Sequence, residues 1–286
     1  WAGDATGSTN PLTVVMNSNK NIIANFTANT PTVTINLGTI ANFGTFGGNA
    51  GITNQGINTV INNGSIGTTA ASTLITGFHD MTGDKYTETP LNIGDVKLRI
   101  YTAAPPPVIF APGGPYGGNA TTKAIADQGL ADANAAYISI SPASKPGGTD
   151  PGAGELGGLT LAPGIYKASA GTFNISTDLT LDGKGDPNAV WIFQTAAGLT
   201  VGTAAVSRSV RLIGGAQAKN VFWYVGSAAV INYSGGGVMV GTVISTAGIT
   251  ISNPGASVIG PQSVVNGRVI SLVASVTMVN TTINVQ

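Results

Sequence analysis

The 286-residue chain balances 12 Lys and Arg against 12 Asp and Glu, and only 8% of its residues are charged, where an ordinary soluble domain carries about 25%. It has one His and no Cys, which excludes a disulfide framework, a thiolate zinc site and a thiol nucleophile. No Lys/Arg cluster offers a footprint for nucleic acid or for an anionic membrane surface. The remaining polarity is Thr, Asn, Ser and Gly, which predicts a polar but nearly charge-free surface. No stretch approaches the roughly 20 apolar residues of a membrane span, so membrane insertion is not expected. The chain starts at Trp1 without an initiator Met or a charged-then-apolar leader, as expected of a processed or excised piece. The length admits one large all-β domain or two smaller ones.

Residues 1–28 read as two short strands, LTVVM and NIIANF, around an Asn-Ser-Asn-Lys turn. A hairpin of that size cannot bury a core by itself. The segment is similar to the end of bacterial cell-surface β-repeats that close on a pattern like NPltvtMdsnKnitAnFt, which implies the tail of an upstream β-module. Residues 29–35 are the expected linker. The second domain is expected over residues 36–286.

From residue 36 the chain becomes short apolar runs punctuated by Gly, Asn and Ser: FGTFGG, AGITN, TVINN and TLITG early, then GLTLAP, TFNIS, DLTLDG, VWIFQ, GLTVG, VFWYV, AVINY, GITIS, SVIG, SVTMV and TTINV late. From Ile165 the runs cycle through three kinds. VWIFQ and VFWYV are apolar on both sides, GLTVG and GITIS alternate, and the third kind is short and Gly-bounded. A three-step cycle is what a triangular coil repeats, one kind of strand for each face. The coil length is irregular. One segment breaks the pattern: in TTKAIADQGLADANAAYISI, Ala126, Leu130, Ala133 and Tyr137 fall at helical spacing, with Asn119 or Thr121 as N-cap. A helix near 121–137 is therefore expected along the doubly apolar strands Val190–Phe193 and Val221–Val225, because strands buried on both sides lose alternation. The stretch 79–118 has no assignable fold.

A β-solenoid with one long helix laid along it resembles the bacterial and fungal ice-binding (antifreeze) proteins of the discontinuous β-solenoid type. The landmarks are NLGTIANFG, GELGGLTLAPGIYK, LTLDGKGDPNAVWIFQ, LIGGAQAKNVFWYVGSAA, VGTVIS, NGRVIS and SVTMVNTTI, spread over roughly residues 36–286. The resemblance implies a mostly β fold, a right-handed triangular β-solenoid with one α-helix along a face. It also implies that the partner is an ice crystal surface. No cofactor, metal or catalytic residue is expected, and the chain is expected to act as a secreted or cell-surface monomer that is not an enzyme.

Period-2 alternation identifies which side chains would meet that surface. Inward Ile52 leaves Gly51 and Thr53 outward, and inward Phe173 leaves Thr172 and Asn174. Leu199 leaves Gly198 and Thr200, Ile231 leaves Val230 and Asn232, Ile249 leaves Gly248 and Thr250, and Val276 leaves Ser275 and Thr277. The expected binding face is these twelve residues, a small-x-Thr/Asn ladder from which Val230 departs. Strands stack about 4.8 Å apart and residues two apart lie about 6.7 Å apart, so an untwisted stack presents a regular grid. β-branching fixes the Thr χ1, so hydroxyl and methyl hold their places at little entropic cost.

Rival chemistries have weaker support. Asp178 and Asp182, with Lys184 and Asp186, offer carboxylates for polysaccharide chemistry, but DGKGDPN is also an ordinary turn. His79 reads as a solvated loop residue. GTFGGNAG precedes no helix and so cradles no phosphate. The alternative function is an extracellular polysaccharide-active or adhesive β-helix.

Overall fold

A computed structural model describes residues 1–7, 9, 11–24, 34–107, 114–203, 205–232, 236–252 and 262–286. The chain divides into two compact units, Trp1–Thr34 and Ile35–Gln286.

In the first unit the only regular pairing among the described residues is antiparallel, Ala2–Gly3 against Ile22–Ile23. The Asn21 N–H donates to Asp4 Oδ2 at 2.8 Å beside it. LTVVM is not a strand. Leu12–Met16 has no partner strand there, and Val15 and Met16 stand 77% and 69% exposed. Phe26 and most of the expected linker lie outside the described residues, as does SVIG.

The second unit is a parallel β-solenoid of three faces with one long helix. Strands of the first face stack in the order Gly164–Lys167, Trp191–Thr195, Val221–Val225, the second half of Gly237–Ser245, the second half of Ser263–Ser271, Phe43–Gly47, Ser65–Ala71 and Ile100–Ala103. The stack is therefore discontinuous in sequence. The coils after the helix stack directly on those before it, at Val269↔Thr45 and Ile270↔Phe46. The second face runs through Phe173–Ile175, Leu199–Val201, Ala229–Asn232, Ile249–Ser252, Val276–Val279, the start of Ile52–Asn62 and Ile75–Thr76. The third face holds Thr160–Leu161, Leu179–Asp182 and Val210–Ile213. It continues through the first halves of the two long strands, Thr281–Asn284 and the end of Ile52–Asn62. Where Gly237–Ser245 and Ser263–Ser271 turn from the third face to the first, Gly241 (φ +95°) and Gly267 (φ +149°) touch, and a Cβ on Gly267 would sit 2.0 Å from the Gly241 carbonyl oxygen. Only glycine permits that corner.

The interior is a continuous apolar column. Tyr166, Phe193 and Trp223 are register partners, with centroids 5.3 Å apart for Tyr166–Phe193 and 4.0 Å for Phe193–Trp223, both stacked. Each indole finds an acceptor, Trp191 at Leu161 O (3.2 Å) and Trp223 at Val240 O (2.9 Å), as buried Trp requires.

The helix, α1, spans Ala120–Ser139 and is capped by Asn119 and Thr122 in a reciprocal capping box. Its buried face is Thr122, Ala126, Gly129, Ala133 and Ala136, rotated from the expected stripe. Leu130 and Tyr137 flank it, half-buried. Small side chains occupy the centre because the helix lies close to the sheet: a Cβ on Gly129 would meet Phe43 at 3.4 Å and Phe46 at 3.6 Å. Tyr137 stacks on Tyr224 at 4.1 Å, and Gln194 Nε2 donates to Ile140 O at 3.0 Å just past the helix. The helix thus lies on the first face, reaching from Ile100–Ala103 to Trp191–Thr195. Trp191 and Trp223 point into the solenoid rather than towards it.

Both ends of the stack are covered. Residues 148–158 add backbone bonds to the edge at Ile165 and Asn174. At the other end, the stretch left unassigned forms Phe78–Asp80, Lys85–Tyr86, Asn92–Val96 and Ile100–Ala103. His79 belongs to this end cap rather than to a solvated loop, with Nδ1 2.5 Å from Glu88 Oε1.

Gly129 gives a test of opposite signs. Gly129→Ala places its Cβ at ordinary contact distance and gains helix propensity worth up to about 1 kcal/mol. Gly129→Leu drives carbons into Phe43 and Phe46 and costs about 1–3 kcal/mol. Thermal melts of the two variants should move in opposite directions.

Candidate binding face

The second face is built from inward residues that stack in register. Phe173, Leu199, Ala229, Ile249, Val276, Ile52 and Ile75 form one such column, and every one is at most 1% exposed. Their C-terminal neighbours must therefore point out. These are Asn174, Thr200, Val230, Thr250, Thr277, Thr53 and Thr76, a single column of register partners across seven strands. Six spacings of roughly 4.8 Å give a row about 29 Å long.

A second column precedes it. Backbone bonds run from Phe173 N to Gly198 O, Leu199 N to Ala228 O, Ala229 N to Gly248 O, Ile249 N to Ser275 O and Val276 N to Gly51 O. Thr172, Gly198, Ala228, Gly248, Ser275 and Gly51 are thus neighbours, with Leu74 beside Gly51. Gly51 is buried rather than solvent-facing. Its φ is +102°, and a Cβ there would lie 2.1 Å from the Leu74 carbonyl oxygen. Leu74 covers it and is itself 46% exposed.

The register corrects the reading at Ala229–Asn232. Ala229, not Ile231, is the partner of Leu199 and Ile249, so Val230 belongs with Thr200 and Thr250 and the small residue before it is Ala228. Asn232 sits two residues further on, paired with Ser252, whose hydroxyl donates to Asn232 Oδ1 at 2.9 Å. Val230 thus stands in the Thr column as its one residue without a hydroxyl or amide, and the small residue of that coil is Ala228. Ala228, Leu74 and Thr76 escaped the sequence reading. The Ile-Thr dipeptide of Ile75-Thr76, shared with Ile52-Thr53 and Ile249-Thr250, is the signal that could have found the last.

Thr250 and Asn174 are exposed, and Thr53, Thr76, Thr172, Gly198, Thr200, Val230, Asn232, Gly248, Ser275 and Thr277 are partly exposed. No outward side chain of these seven strands is charged. Charge lies on the third face instead. Asp178 pairs with Arg211 at 2.6 Å and Asp182 with Lys184 at 2.8 Å. Burial pushes Asp178 up, but the Ser209 N–H and Arg211 outweigh it and hold the carboxyl below its usual range. Lys184 holds Asp182 low through its side chain and backbone N–H. A general acid needs a raised carboxyl, and here both are lowered. Among the described residues no group of three or more His, Asp or Glu could hold a metal ion, and no helix is long and apolar enough to cross a membrane.

Comparison with known proteins then decides the family. The model of the Ice-binding-like family matches residues 46–284. The chain belongs to that family. It is 41% identical over 161 residues to an ice-binding protein of Colwellia sp., covering 56% of this chain and 55% of that protein. It is 34% identical over 152 residues to one of Flavobacterium frigoris, covering 53% and 49%. The chain thus spans about half the length of these curated relatives. Among solved structures it is similar to a glycosylated ice-binding protein from an Arctic yeast, at 29% identity and TM-score 0.67, covering 87% of this chain and 93% of that one. The fold is shared with an ice-binding domain of Shewanella frigidimarina at TM-score 0.67 and 24% identity, covering 88% and 98%.

Two further carboxyls are held low, Asp132 by the Thr39 N–H and Asp150, against the upward push of burial, by Ser169 and the Gly154 N–H. Depressed folded-state values mean that stability is present above the unfolded carboxyl pKa of about 3.9 and is lost as pH falls through the lower folded values. Melting temperature should hold between about pH 5 and 8 and fall below about pH 4, modestly because these carboxyls are exposed to solvent.

Proposed function

We propose that this chain is an ice-binding protein that adsorbs to ice through the second face and so inhibits ice growth and recrystallisation. The observation that carries the reading is the outward column Asn174–Thr200–Val230–Thr250–Thr277–Thr53–Thr76, in one register and free of charge. Family membership over residues 46–284 supports it.

The mechanism follows from the grid. Hydroxyls and amides anchor water at a fixed repeat, while Thr and Val methyls and the Gly and Ala gaps leave recesses that ordered water fills. A Lys or Glu would impose its own hydration geometry. Each contact is weak, but one rigid surface makes many of them at once, and little side-chain entropy is lost because the residues are short or β-branched. The function is binding rather than catalysis, with no cofactor, and one chain supplies a whole face, so it acts as a monomer. A charge-poor surface and the likeness of residues 1–28 to a cell-surface repeat support an extracellular location and an upstream β-module. A chain beginning at Pro31 should still shape ice.

Thr200→Tyr or Thr250→Tyr lifts the surface off a flat lattice by the width of a ring. Thermal hysteresis and ice shaping should fall by most of their value, with stability changed by no more than about 0.5 kcal/mol. Thr180→Tyr, on the third face, should leave the inhibition of growth by the second face in place. Full activity in both second-face variants would refute the assignment. Since the seven strands of that face carry no titratable side chain and Glu155 only flanks its edge beside Asn174, hysteresis should be the same from about pH 5 to pH 8, throughout the range in which the fold is stable.

A further inference from the structure

The third face has a feature that the second lacks. Asn62, Asn284 and Asn266 are register partners on successive coils. Asn62 Nδ2 donates to Asn284 Oδ1 at 3.0 Å, and Asn284 Nδ2 donates to Asn266 Oδ1 at 2.9 Å. Each amide is thereby locked along the stack, and the ladder uses one N–H and one lone pair of the partly exposed Asn284, out of the two of each that an amide offers. Beside this ladder runs the column Val60–Thr282–Val264–Val238. All four are partly exposed. Over these coils the strip carries no charge. Arg211 lies on one side of it and Asp95 on the other.

The two faces share the same coils. Strand Ile52–Asn62 runs across both, and Val276–Val279 reaches Thr281–Asn284 through Asn280 alone. Asn280 is 1% exposed with φ +43°, and its Oδ1 accepts the Asn58 N–H at 3.2 Å. On this coil the chain passes from the second face to the third in one residue, so the two faces point in different directions.

We propose that this strip is a second, smaller ice-contact facet that engages a different set of ice planes, an inference that rests on the reading of the second face above. Four strands make the Val/Thr column about 14 Å long, and over three of them the Asn column beside it makes the strip about 7 Å wide, the Asn column ending at buried Val240. Roughly 100 Å² is far below the about 800 Å² per partner of a stable protein interface, which argues against a protein occupant. A repeating row of fixed amides beside methyls fits an ordered water layer. The strip adds planes and does not replace the main face.

The test uses the full chain, fluorescently labelled, adsorbed to a hemisphere cut from a single ice crystal. The parent should label two families of planes. Thr250→Tyr should lose one and keep the other. Thr282→Lys, and Val264→Lys as a second variant, should lose only the planes that Thr250→Tyr keeps, with melting temperatures close to the parent's. Loss of every plane in Thr250→Tyr, or labelling unchanged in both lysine variants, overturns the second facet and leaves the main face standing. A parent that labels no plane overturns both.

Discussion

Parallel stacking in strict register is the constraint on which the rest depends. In the inward column from Phe173 to Ile75 each residue sits on its counterpart in the next coil. A slip of one residue in any coil would turn a buried Ile or Leu to water and bring a Thr inside. At about 25 cal/mol per Å² of apolar surface, exposing one such side chain costs about 1.5–3 kcal/mol. The outward column is therefore regular because the inward one must be. A flat array of Thr is a by-product of core packing, and binding to a periodic solid uses that regularity directly.

Discontinuity puts this register at risk, since the seam at Val269–Ser271 on Thr45–Gly47 joins segments more than 200 residues apart. The helix spans it. Its first turn is tied to Ile100–Ala103 by Thr122 Oγ1 to Thr102 O at 2.7 Å, and Gln194 reaches Ile140 at the far end. Counting the two anchor strands, seven strands of the first face span this distance, six steps of roughly 4.8 Å or about 29 Å. A 20-residue helix is about 30 Å long. The match makes α1 a strut of the same length as the stack it braces. Arg268 adds a second tie: it is 4% exposed and donates to the carbonyls of Ala41 and Gln286, joining early and late chain below the helix. The small residues of the helix's buried face let it lie flat over the seam.

Much of this was legible in the sequence because alternation around Ile, Leu and Val fixes the outward side without knowledge of neighbours. Thr53, Asn174, Thr200, Thr250 and Thr277 fall in one column for that reason. The reading slipped by two residues in AAVINY, where alternation rightly turns Ile231 in and Val230 and Asn232 out but cannot say which of the two outward residues lines up with Thr200 and Thr250. Only the partners on either side, Leu199 and Ile249, select Ala229. Gly51 was misplaced because burial by Leu74 comes from an adjacent coil rather than from its own strand. The helix stripe was set by residue size, which favoured Leu130 and Tyr137. Close approach to the first face instead selected small residues, Gly129 over Phe43 and Phe46 and Ala136 further along. The end cap around His79 had no period to read.

Charge is partitioned as the register dictates, with Asp178, Asp182, Arg211 and Asp95 on the third face and none on the seven strands of the second, which Glu155 flanks only at the edge beside Asn174. That partition leaves the second face free to set its own water. The most direct measurement is therefore the first water layer over it, by high-resolution diffraction from a crystal in which the face meets solvent. Rows of ordered water seated between the two outward columns, repeating once per coil at about 4.8 Å, are the expected result. Water scattered without the coil repeat, or ordered no better there than over the charged ends of the third face, would contradict the account.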